Sequence, residues 1–309
     1  MRPGVDKPAL DCVIIGGGPA GLTAALYLAR FRRQVLLLDA EQSRANLIPT
    51  SHNQATFPGG ISGPELLERM KAQGRHHGVP TVAAKVDDVR PTRDGFEVAF
   101  AGRMVTAKTV LLATGVVNHR PDMDQELHRE ALSQGLLRYC PVCDGFEALD
   151  QDIAVLGADG HGLAEALFLR NYSDNVTLLP ARRTELDHAE RGRLLAAGVK
   201  IIDDPARSFN ITQRKIVVGV DGDPKAYAFD TLYPALGSST NIDPIRAFNP
   251  DVSDTGCLVT DQHQMTTSDG IYGAGDVVEG LDQIAVASGQ AAIAATSIHN
   301  RLRERESVA

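Results

Sequence analysis

The chain has 309 residues, 43% of them hydrophobic and 23% charged, which is the composition of an ordinary water-soluble protein with room for two domains. Its formal net charge of −8 argues against general nucleic-acid binding. The apolar runs are no longer than a strand, far short of the ~20 residues that a membrane span requires. The first residues show no apolar signal region. We therefore expect a cytoplasmic protein that binds neither nucleic acid nor membranes.

A glycine-rich turn lies between a strand and a helix near the start of the chain. The predicted order is strand, turn, helix and strand, over residues 11–15, 16–21, 22–30 and 34–39. Gly16 permits a tight turn, Gly18 lets the backbone approach a pyrophosphate, and Gly21 lets the helix pack closely on the strand. The free N–H groups at the helix start attract phosphates. Asp39 ends the second strand, where a carboxylate accepts from ribose hydroxyls. This pattern predicts a dinucleotide site.

The same order of elements recurs in the middle of the chain, which predicts a second domain of the same kind. Its strand, turn, helix and strand cover residues 152–156, 157–162, 163–171 and 175–179. The remaining predicted elements are a helix at 63–76, strands within 81–100 and at 109–113, 256–260 and 270–273, and a long helix at 283–303. The predicted fold class is α/β, with two dinucleotide-binding Rossmann-like domains of three-layer ββα form, the second inserted into the first. The first domain comprises residues 1–118 and 244–309, and the inserted central domain comprises residues 119–243.

Two cysteines stand close together in the segment Cys140-Pro141-Val142-Cys143-Asp144-Gly145. Such a pair closes and reopens a disulfide readily, and Pro141 stiffens the loop between the two thiols. Half a zinc site and a pair of inert core cysteines are alternatives, but no His or Cys follows at zinc-finger spacing, so no metal site is predicted. Asp144 is either part of the redox chemistry or a helix N-cap. The other two cysteines are expected to be structural: Cys12 and Cys257.

Two further turns are typical of flavoproteins with two dinucleotide domains: Ala113-Thr114-Gly115 and Gly275-Asp276. With the first glycine-rich turn, the cysteine segment and the loop segments Pro58-Gly59 and Gly63-Pro64-Glu65, they make the chain resemble the low-molecular-weight thioredoxin reductases. These are class II members of the FAD-dependent pyridine nucleotide-disulfide oxidoreductases. The resemblance covers nearly the whole chain. It implies a homodimer with non-covalently bound FAD and a central domain that carries the redox-active cysteines.

The resemblance also implies roles for individual residues. The residues expected to contact FAD are Gly16, Gly18, Pro19, Ala20, Gly21, Asp39, Asn53, Thr114, Gly115, Gly275, Asp276, Gln283 and Ile284. Cys143 is expected to receive electrons from the flavin, and Cys140 to attack the partner disulfide. Asp144 would protonate the departing thiolate, which requires a raised pKa. The expected partner is a thioredoxin-like protein or a small disulfide substrate.

The second glycine-rich turn departs from the family's NADPH-binding pattern. Its middle glycine is replaced by Asp159, so a pyrophosphate would meet a carboxylate instead of bare backbone. Two unit charges ~5 Å apart at an effective dielectric of ~20 repel by about 3 kcal/mol, which is more than a hundredfold in affinity. Asp159 is also suited to cap the helix itself and so to use the N–H groups that a phosphate needs.

The strand after this turn also lacks the family's NADPH pattern of His-Arg-Arg followed by a further Arg. The His, the first Arg and the last Arg correspond to Pro180, Ala181 and Leu186 in this sequence. Arg182 remains and Arg183 is additional, so contact with a 2′-phosphate stays open. The chain therefore resembles thioredoxin reductase-like members that lack intact NADPH motifs, some of which take electrons from ferredoxin.

The sequence thus predicts a disulfide oxidoreductase that passes electrons from FAD through the Cys140–Cys143 pair to its substrate. The expected donor is not NADPH, and a ferredoxin-type protein is the candidate. Three alternatives stay open: an NADPH-thioredoxin reductase with a degenerate site, a flavin-dependent dithiol oxidase, and a non-catalytic redox-sensing flavoprotein. The intact cysteine pair and Asp144 argue against the last of these.

Overall fold

A computed structural model describes residues 9–157, 159–183 and 186–308 of the chain. The described residues form two compact units. The first comprises those within Met1–Asn46, Ser62–Val117 and Thr240–Ala309, and the second those within Leu47–Ile61 and Asn118–Ser239. The sequence-based boundaries placed Leu47–Ile61 in the first domain, whereas Leu47 packs against an apolar cluster of the second unit. Within the described ranges, no helix has the length and apolar character needed to cross a membrane.

Sixteen strands and seven α-helices make up the regular structure of the described residues. The strands are β1 (Leu10–Ile15), β2 (Val35–Asp39), β3 (Thr81–Ala83), β4 (Val86–Thr92), β5 (Gly95–Phe100), β6 (Arg103–Leu112), β7 (Val116–Asn118), β8 (Ile153–Leu156), β9 (Val176–Leu179), β10 (Lys200–Ile201), β11 (Ala206–Thr212), β12 (Lys215–Val220), β13 (Ala226–Phe229), β14 (Thr231–Pro234), β15 (Ser238–Thr240) and β16 (Ile271–Gly273). The helices are α1 (Pro19–Arg30), α2 (Gly63–His76), α3 (Gln125–Ser133), α4 (Pro141–Asp144), α5 (Gly160–Leu169), α6 (His188–Ala196) and α7 (Ile284–Val308). Short 3-10 helices cover Arg44–Leu47, Phe146–Ala148 and Asp243–Phe248.

The first unit is built on a seven-stranded sheet. Four parallel strands lie in the order β3-β2-β1-β6, β16 pairs with β6 in parallel, and β5 and β4 extend the sheet in antiparallel fashion. The central strands are buried on both faces and are therefore almost continuously apolar. Ile15 pairs with both Leu38 and Leu112, so the turns after β1, β2 and β6 meet at one edge of the sheet.

The second unit repeats this plan on a smaller scale. Its parallel sheet has the order β10-β9-β8-β14, and β11, β12 and β13 form a separate antiparallel sheet. Leu156 pairs with both Leu179 and Pro234, as Ile15 pairs with Leu38 and Leu112. The predicted α/β fold with two Rossmann-like domains is therefore confirmed.

One predicted strand is wrong. Residues 256–260 form no strand, because Gly256 has a positive φ of 78° and Leu258 makes only isolated bridges, to Val252 and Val278. The C-terminal helix is present and continues to Val308, beyond its predicted end.

Candidate active site

The first glycine-rich turn is closed by contacts that only glycine allows. Gly16 has φ of 113°, and a Cβ there would collide with the Ala113 carbonyl. A Cβ at Gly21 would collide with the Gly16 carbonyl, and one at Gly17 would collide with the Asp39 carboxylate. The sequence analysis assigned no role to Gly17, although the unbroken run of three glycines was a signal for one.

Gly18 differs from these neighbours because its backbone does not require glycine. It is the N-cap of α1 with φ of −77°, and a Cβ would meet only the Ser43 Oγ, at 3.3 Å. Among the described residues no side chain caps α1, whose first residues are Pro19 and Ala20. The N–H groups at this helix start are therefore available to a phosphate.

Asp39 lies buried beside this turn, at the end of β2. Its Oδ1 accepts from the Glu41 backbone N–H at 2.8 Å, and its Oδ2 lies 3.3 Å from the Lys71 Nζ. Lys71 is a residue of α2 that sequence reasoning did not find, because a lysine on a polar helix surface carries no pattern of its own.

The Gly275-Asp276 turn lies against the first turn of α1. Gly275 has φ of 82°, a Cβ there would be 3.0 Å from the Ala20 Cβ, and its N–H donates to the Gln290 Oε1 at 2.8 Å. Burial, and then the neighbouring Asp282, raise the pKa of the Asp276 carboxyl, and Arg44 offsets part of the rise.

The other predicted flavin contacts have the following positions. The Thr114 hydroxyl donates to the Asn241 carbonyl at 2.8 Å, and Gly115 has φ of 61°. Gln283 directly precedes α7, which begins at Ile284. Asn53 belongs to the second unit and accepts from the Ser51 hydroxyl at 2.9 Å. Contact of each of these residues with FAD stays a prediction.

The two cysteines of the second unit form a disulfide. Their Cα atoms are 5.2 Å apart, and Cys140 is the N-cap of the short helix α4. Pro141 supplies the first helical residue, and the Cys143 N–H donates to the Cys140 carbonyl at 2.9 Å. Because the sulfurs are bonded to each other, they are not zinc ligands in this structure, and the redox role of the pair stays a prediction. No cluster of metal-ligating side chains occurs among residues 9–157, 159–183 and 186–308.

Asp144 is held by two side chains that come from elsewhere in the chain. The Tyr233 hydroxyl donates to its Oδ1 at 3.0 Å, and Arg138 Nη1 lies 3.3 Å from its Oδ2. Burial raises the pKa of the Asp144 carboxyl, and Arg138 and Tyr233 offset part of that rise. Asp144 is the last residue of α4 and not an N-cap, so that alternative is wrong. Sequence reasoning missed Tyr233, which is fully buried and far away in sequence.

The surroundings of the disulfide combine a tight turn with exposed apolar side chains. A Cβ at Gly145 would be 2.6 Å from the Tyr172 ring and 2.7 Å from the Pro141 carbonyl, so glycine is required there. Large apolar side chains near the disulfide are 48%, 73% and 50% exposed: Val142, Phe146 and Leu149.

The described residues of the second glycine-rich turn make the same close backbone contacts as those of the first, but the helix start differs. A Cβ at Gly157 would be 2.6 Å from the Ala235 carbonyl, and one at Gly162 would collide with the Gly157 carbonyl. The Asp159 side chain caps α5, accepting from the N–H groups of His161 at 3.1 Å and of Gly162 at 3.3 Å. Ala158 of this turn lies outside the described residues.

A second carboxyl group lies one turn along α5. The Glu165 Oε2 is buried and has no hydrogen-bond partner within the part of the chain that the structure describes. Burial, and then the negative charge of Asp159, raise the pKa of Glu165 to about 7. Of the positions where the family carries NADPH-binding side chains, Pro180 is buried, Ala181 is exposed, and Leu186 packs against the apolar core of the second unit.

Comparison with known proteins identifies the family. Residues 10–291 match the pyridine nucleotide-disulphide oxidoreductase family, and the chain belongs to it. The chain is 31% identical to a thioredoxin reductase of Streptomyces coelicolor over 87% of this chain and 86% of that protein. The thioredoxin reductase structure from Streptococcus pyogenes matches with a TM-score of 0.87 and 28% identity, over 96% of this chain and 99% of that one. The crystal structure of HlmI matches with a TM-score of 0.89 and 28% identity, over 99% and 96% of the two chains.

The protein is thus an FAD-dependent disulfide oxidoreductase of thioredoxin reductase type. The first unit fits the cofactor, because the turn at Gly16–Gly21 leaves room for a pyrophosphate beside an uncapped helix start. Asp39 and Asp276 flank that turn and are suited to accept from sugar hydroxyls of FAD.

Proposed function

We propose that this enzyme passes reducing equivalents from FAD through the Cys140–Cys143 disulfide to a thioredoxin-like protein, and that its donor is not NADPH. The observation that supports the donor assignment is the Asp159 carboxylate, which accepts from the His161 and Gly162 N–H groups. Those groups are the ones that a pyrophosphate would need. A ferredoxin-type protein is the candidate donor, since FAD accepts single electrons as well as hydride.

The charges around α5 support the same assignment. A pyrophosphate at this turn would lie beside Asp159, and the buried Glu165 follows on the same helix. The Asp159 carboxylate and the ionised fraction of Glu165 would oppose two further negative charges. Arg182 and Arg183 are exposed, and the Arg183 guanidinium lies 3.9 Å from the Asp204 carboxylate. Solvent screens the charge of these exposed arginines, as it screens part of the charge of the exposed Asp159.

The cysteine pair and Asp144 account for the exchange reaction with the partner. In the reduced enzyme the Cys140 thiolate attacks one sulfur of the partner disulfide, forms a mixed disulfide and releases the other sulfur as a thiolate. Asp144, whose pKa is raised by burial, donates a proton to that thiolate. Cys143 then attacks Cys140, re-forms the intramolecular disulfide and releases the second partner thiol.

The exposed side chains beside the disulfide support a protein partner over a small dithiol. Val142, Phe146 and Leu149 present apolar surface within a few residues of the cysteines. Exposed apolar surface, where it is contiguous, is typical of protein-binding surfaces. The curated relatives are thioredoxin reductases, which supports a thioredoxin-like protein as that partner. A homodimer, as in the family, is part of the proposal.

The donor assignment is tested by anaerobic stopped-flow reduction of the flavin. We expect NADPH and NADH at millimolar concentration to bleach the flavin only over minutes, and photoreduced ferredoxin to bleach it rapidly. Asp159→Gly should improve the nicotinamide reaction only partly, because Pro180, Ala181 and Leu186 remain unsuited to a 2′-phosphate. Rapid bleaching of the wild-type enzyme by NADPH would instead establish an NADPH-thioredoxin reductase.

The roles of the cysteines are tested by trapping a mixed disulfide with thioredoxin. Cys143→Ser should accumulate it, because no second thiol is present to resolve the Cys140–partner bond. Cys140→Ser is the matched control and should accumulate little. The reverse pattern would exchange the two roles. Oxygen consumption with small dithiols, without turnover of thioredoxin, would favour the dithiol oxidase.

A further inference from the structure

One loop of the first unit reaches both halves of the cofactor site. The loop follows β2 and contains Ser43 and Arg44. The Ser43 Oγ is 3.3 Å from the position of a Cβ on Gly18, at the start of α1. The Arg44 guanidinium lies on the other turn, with its Nη1 3.2 Å from the Asp276 Oδ2 and 2.8 Å from the Asp282 Oδ2.

The first-unit site carries more acid than base. Asp39 is paired with Lys71, whereas Asp276 and Asp282 share the single cation of Arg44. FAD adds two negative charges through its pyrophosphate. A site with an excess of carboxylate would repel this ligand, so the one arginine beside the two acids has a large effect on its binding.

The geometry of Arg44 suits it to contact a phosphate as well. Both ion pairs are made by Nη1, and no described residue accepts a hydrogen bond from Nη2 or Nε, whose donors can serve another acceptor. The planar guanidinium with several parallel donors is the group that best matches phosphate oxygens. The Arg44 side chain is partly exposed, at 24%.

We propose that Arg44 is a cofactor-binding residue of this enzyme: it neutralises the Asp276–Asp282 pair and donates to a phosphate oxygen of FAD. The two acids orient the guanidinium. Arg44 lies outside both the first glycine-rich turn and the Gly275-Asp276 turn, so neither sequence motif predicts that it binds FAD. The proposal builds on the proposed function by naming the residue that sets the affinity of the same site for flavin.

The test is titration of deflavinated protein with FAD and with riboflavin, followed by quenching of flavin fluorescence. Arg44→Gln should weaken FAD binding by tenfold or more, and Arg44→Lys by less. Riboflavin, which carries no phosphate, should bind the wild type and Arg44→Gln equally well. Arg246→Gln is the control, since Arg246 is an exposed arginine of the same unit paired only with Asp243 in the described chain.

A double-mutant cycle with Asp282→Asn keeps the proposal falsifiable. Because half of the acid pair is then neutral, the loss caused by Arg44→Gln should be smaller in the Asp282→Asn background. Unchanged FAD affinity in Arg44→Gln, or an equal loss for riboflavin, would overturn the proposal. If Arg44→Gln does not fold, Arg44→Lys takes its place. The proposal would then be overturned if Arg44→Lys bound FAD as tightly as the wild type, both with and without Asp282→Asn. Wild-type protein that binds no FAD would contradict the proposed function itself.

Discussion

In their described residues the first and second glycine-rich turns share backbone hydrogen bonds and differ in their side chains. Three backbone hydrogen bonds define each turn, and they match in position and length. In the first turn they run from Gly16 N–H to Leu38 O at 2.8 Å, from Ala113 N–H to Ile15 O at 2.8 Å and from Leu22 N–H to Gly18 O at 3.0 Å. The corresponding bonds of the second turn run from Gly157 N–H to Leu179 O at 2.9 Å, from Ala235 N–H to Leu156 O at 2.9 Å and from Leu163 N–H to Asp159 O at 3.0 Å. This equivalence allows the two sites to be compared residue by residue.

At two equivalent positions the second turn carries a different side chain from the first. Asp159 stands where Gly18 stands, and by strand register Pro180 stands where Asp39 stands. The glycines needed for close packing, Gly157 and Gly162, are retained. The comparison teaches that the strand and glycine contacts of this fold are kept while the side chains at these two positions differ. We expect those side chains to decide whether the turn binds a phosphate.

The largest expected effect is a loss of FAD affinity when the first turn is given the aspartate that the second turn carries at the equivalent position. Gly18→Asp should lower the affinity for FAD by more than a hundredfold, since a carboxylate near the pyrophosphate costs about 3 kcal/mol. The backbone accepts a side chain there, because φ is −77°. Flavin content after purification and FAD titration measure the effect. Gly18→Ala is the control, and similar flavin loss in both variants would show that shape, and not charge, excludes the ligand.

The next effect concerns Glu165, which stands where α1 has the buried Ala24, three residues after the last glycine of the turn. Its pKa of about 7 lies above the ordinary 4.5, so the folded state holds the proton more tightly than the unfolded state. Stability should therefore fall as the pH rises from about 4.5 to about 7, and Glu165→Gln should raise the free energy of unfolding at pH 8 by about 2 kcal/mol.

Thermal unfolding of the flavin-loaded protein as a function of pH measures this difference. Glu130→Gln, at an exposed carboxylate of the same unit, is the control and should leave the pH profile unchanged. If thermal stability depends on pH in the same way in Glu165→Gln and in the wild type, Glu165 does not carry a destabilising buried charge.

A smaller effect is expected at Tyr233, which stands on β14 where β6 has the apolar Leu111. Tyr233→Phe removes a hydrogen bond that lowers the Asp144 pKa, so Asp144 should keep its proton to higher pH. The alkaline fall in the rate of exchange with an alkyl disulfide should move upward by about 0.5–1 pH unit. An aromatic disulfide with an acidic leaving thiol needs no proton and is the control. If the alkaline fall in rate lies at the same pH in Tyr233→Phe and in the wild type, Asp144 is not the general acid.

The smallest effect concerns the cap itself. Asp159→Ala removes both hydrogen bonds to the start of α5 and should lower the free energy of unfolding by about 1 kcal/mol. Gly18→Ala is the matched comparison, since no side chain caps α1, and it should change the stability of the deflavinated protein much less. Thermal unfolding of the two deflavinated variants gives both values, and equal losses would mean that Asp159 does not stabilise α5.

Local sequence patterns predicted most of the fold and the parts of the site that depend on near neighbours. The two strand–turn–helix units, the long C-terminal helix and the disulfide all follow from residues within a few positions of each other. The contacts of Arg138 and Tyr233 with Asp144, of Lys71 with Asp39 and of Gln290 with Gly275 join distant segments and leave no local pattern. The wrong strand at 256–260 has the same cause, because apolar composition alone does not reveal which neighbouring strand is available.

The Asp159 cap also decides how the two units respond to the supply of their ligands. A ligand that binds only the folded protein stabilises it by mass action, so its contribution falls as its concentration falls. We expect the start of α1 to rely on such a ligand, because no side chain in the described part of the chain caps it. The start of α5 carries its own acceptor, covalently attached and therefore present at constant effective concentration. Shortage of flavin should thus loosen the beginning of α1, whereas the beginning of α5 should stay ordered whatever the size of the nucleotide pool.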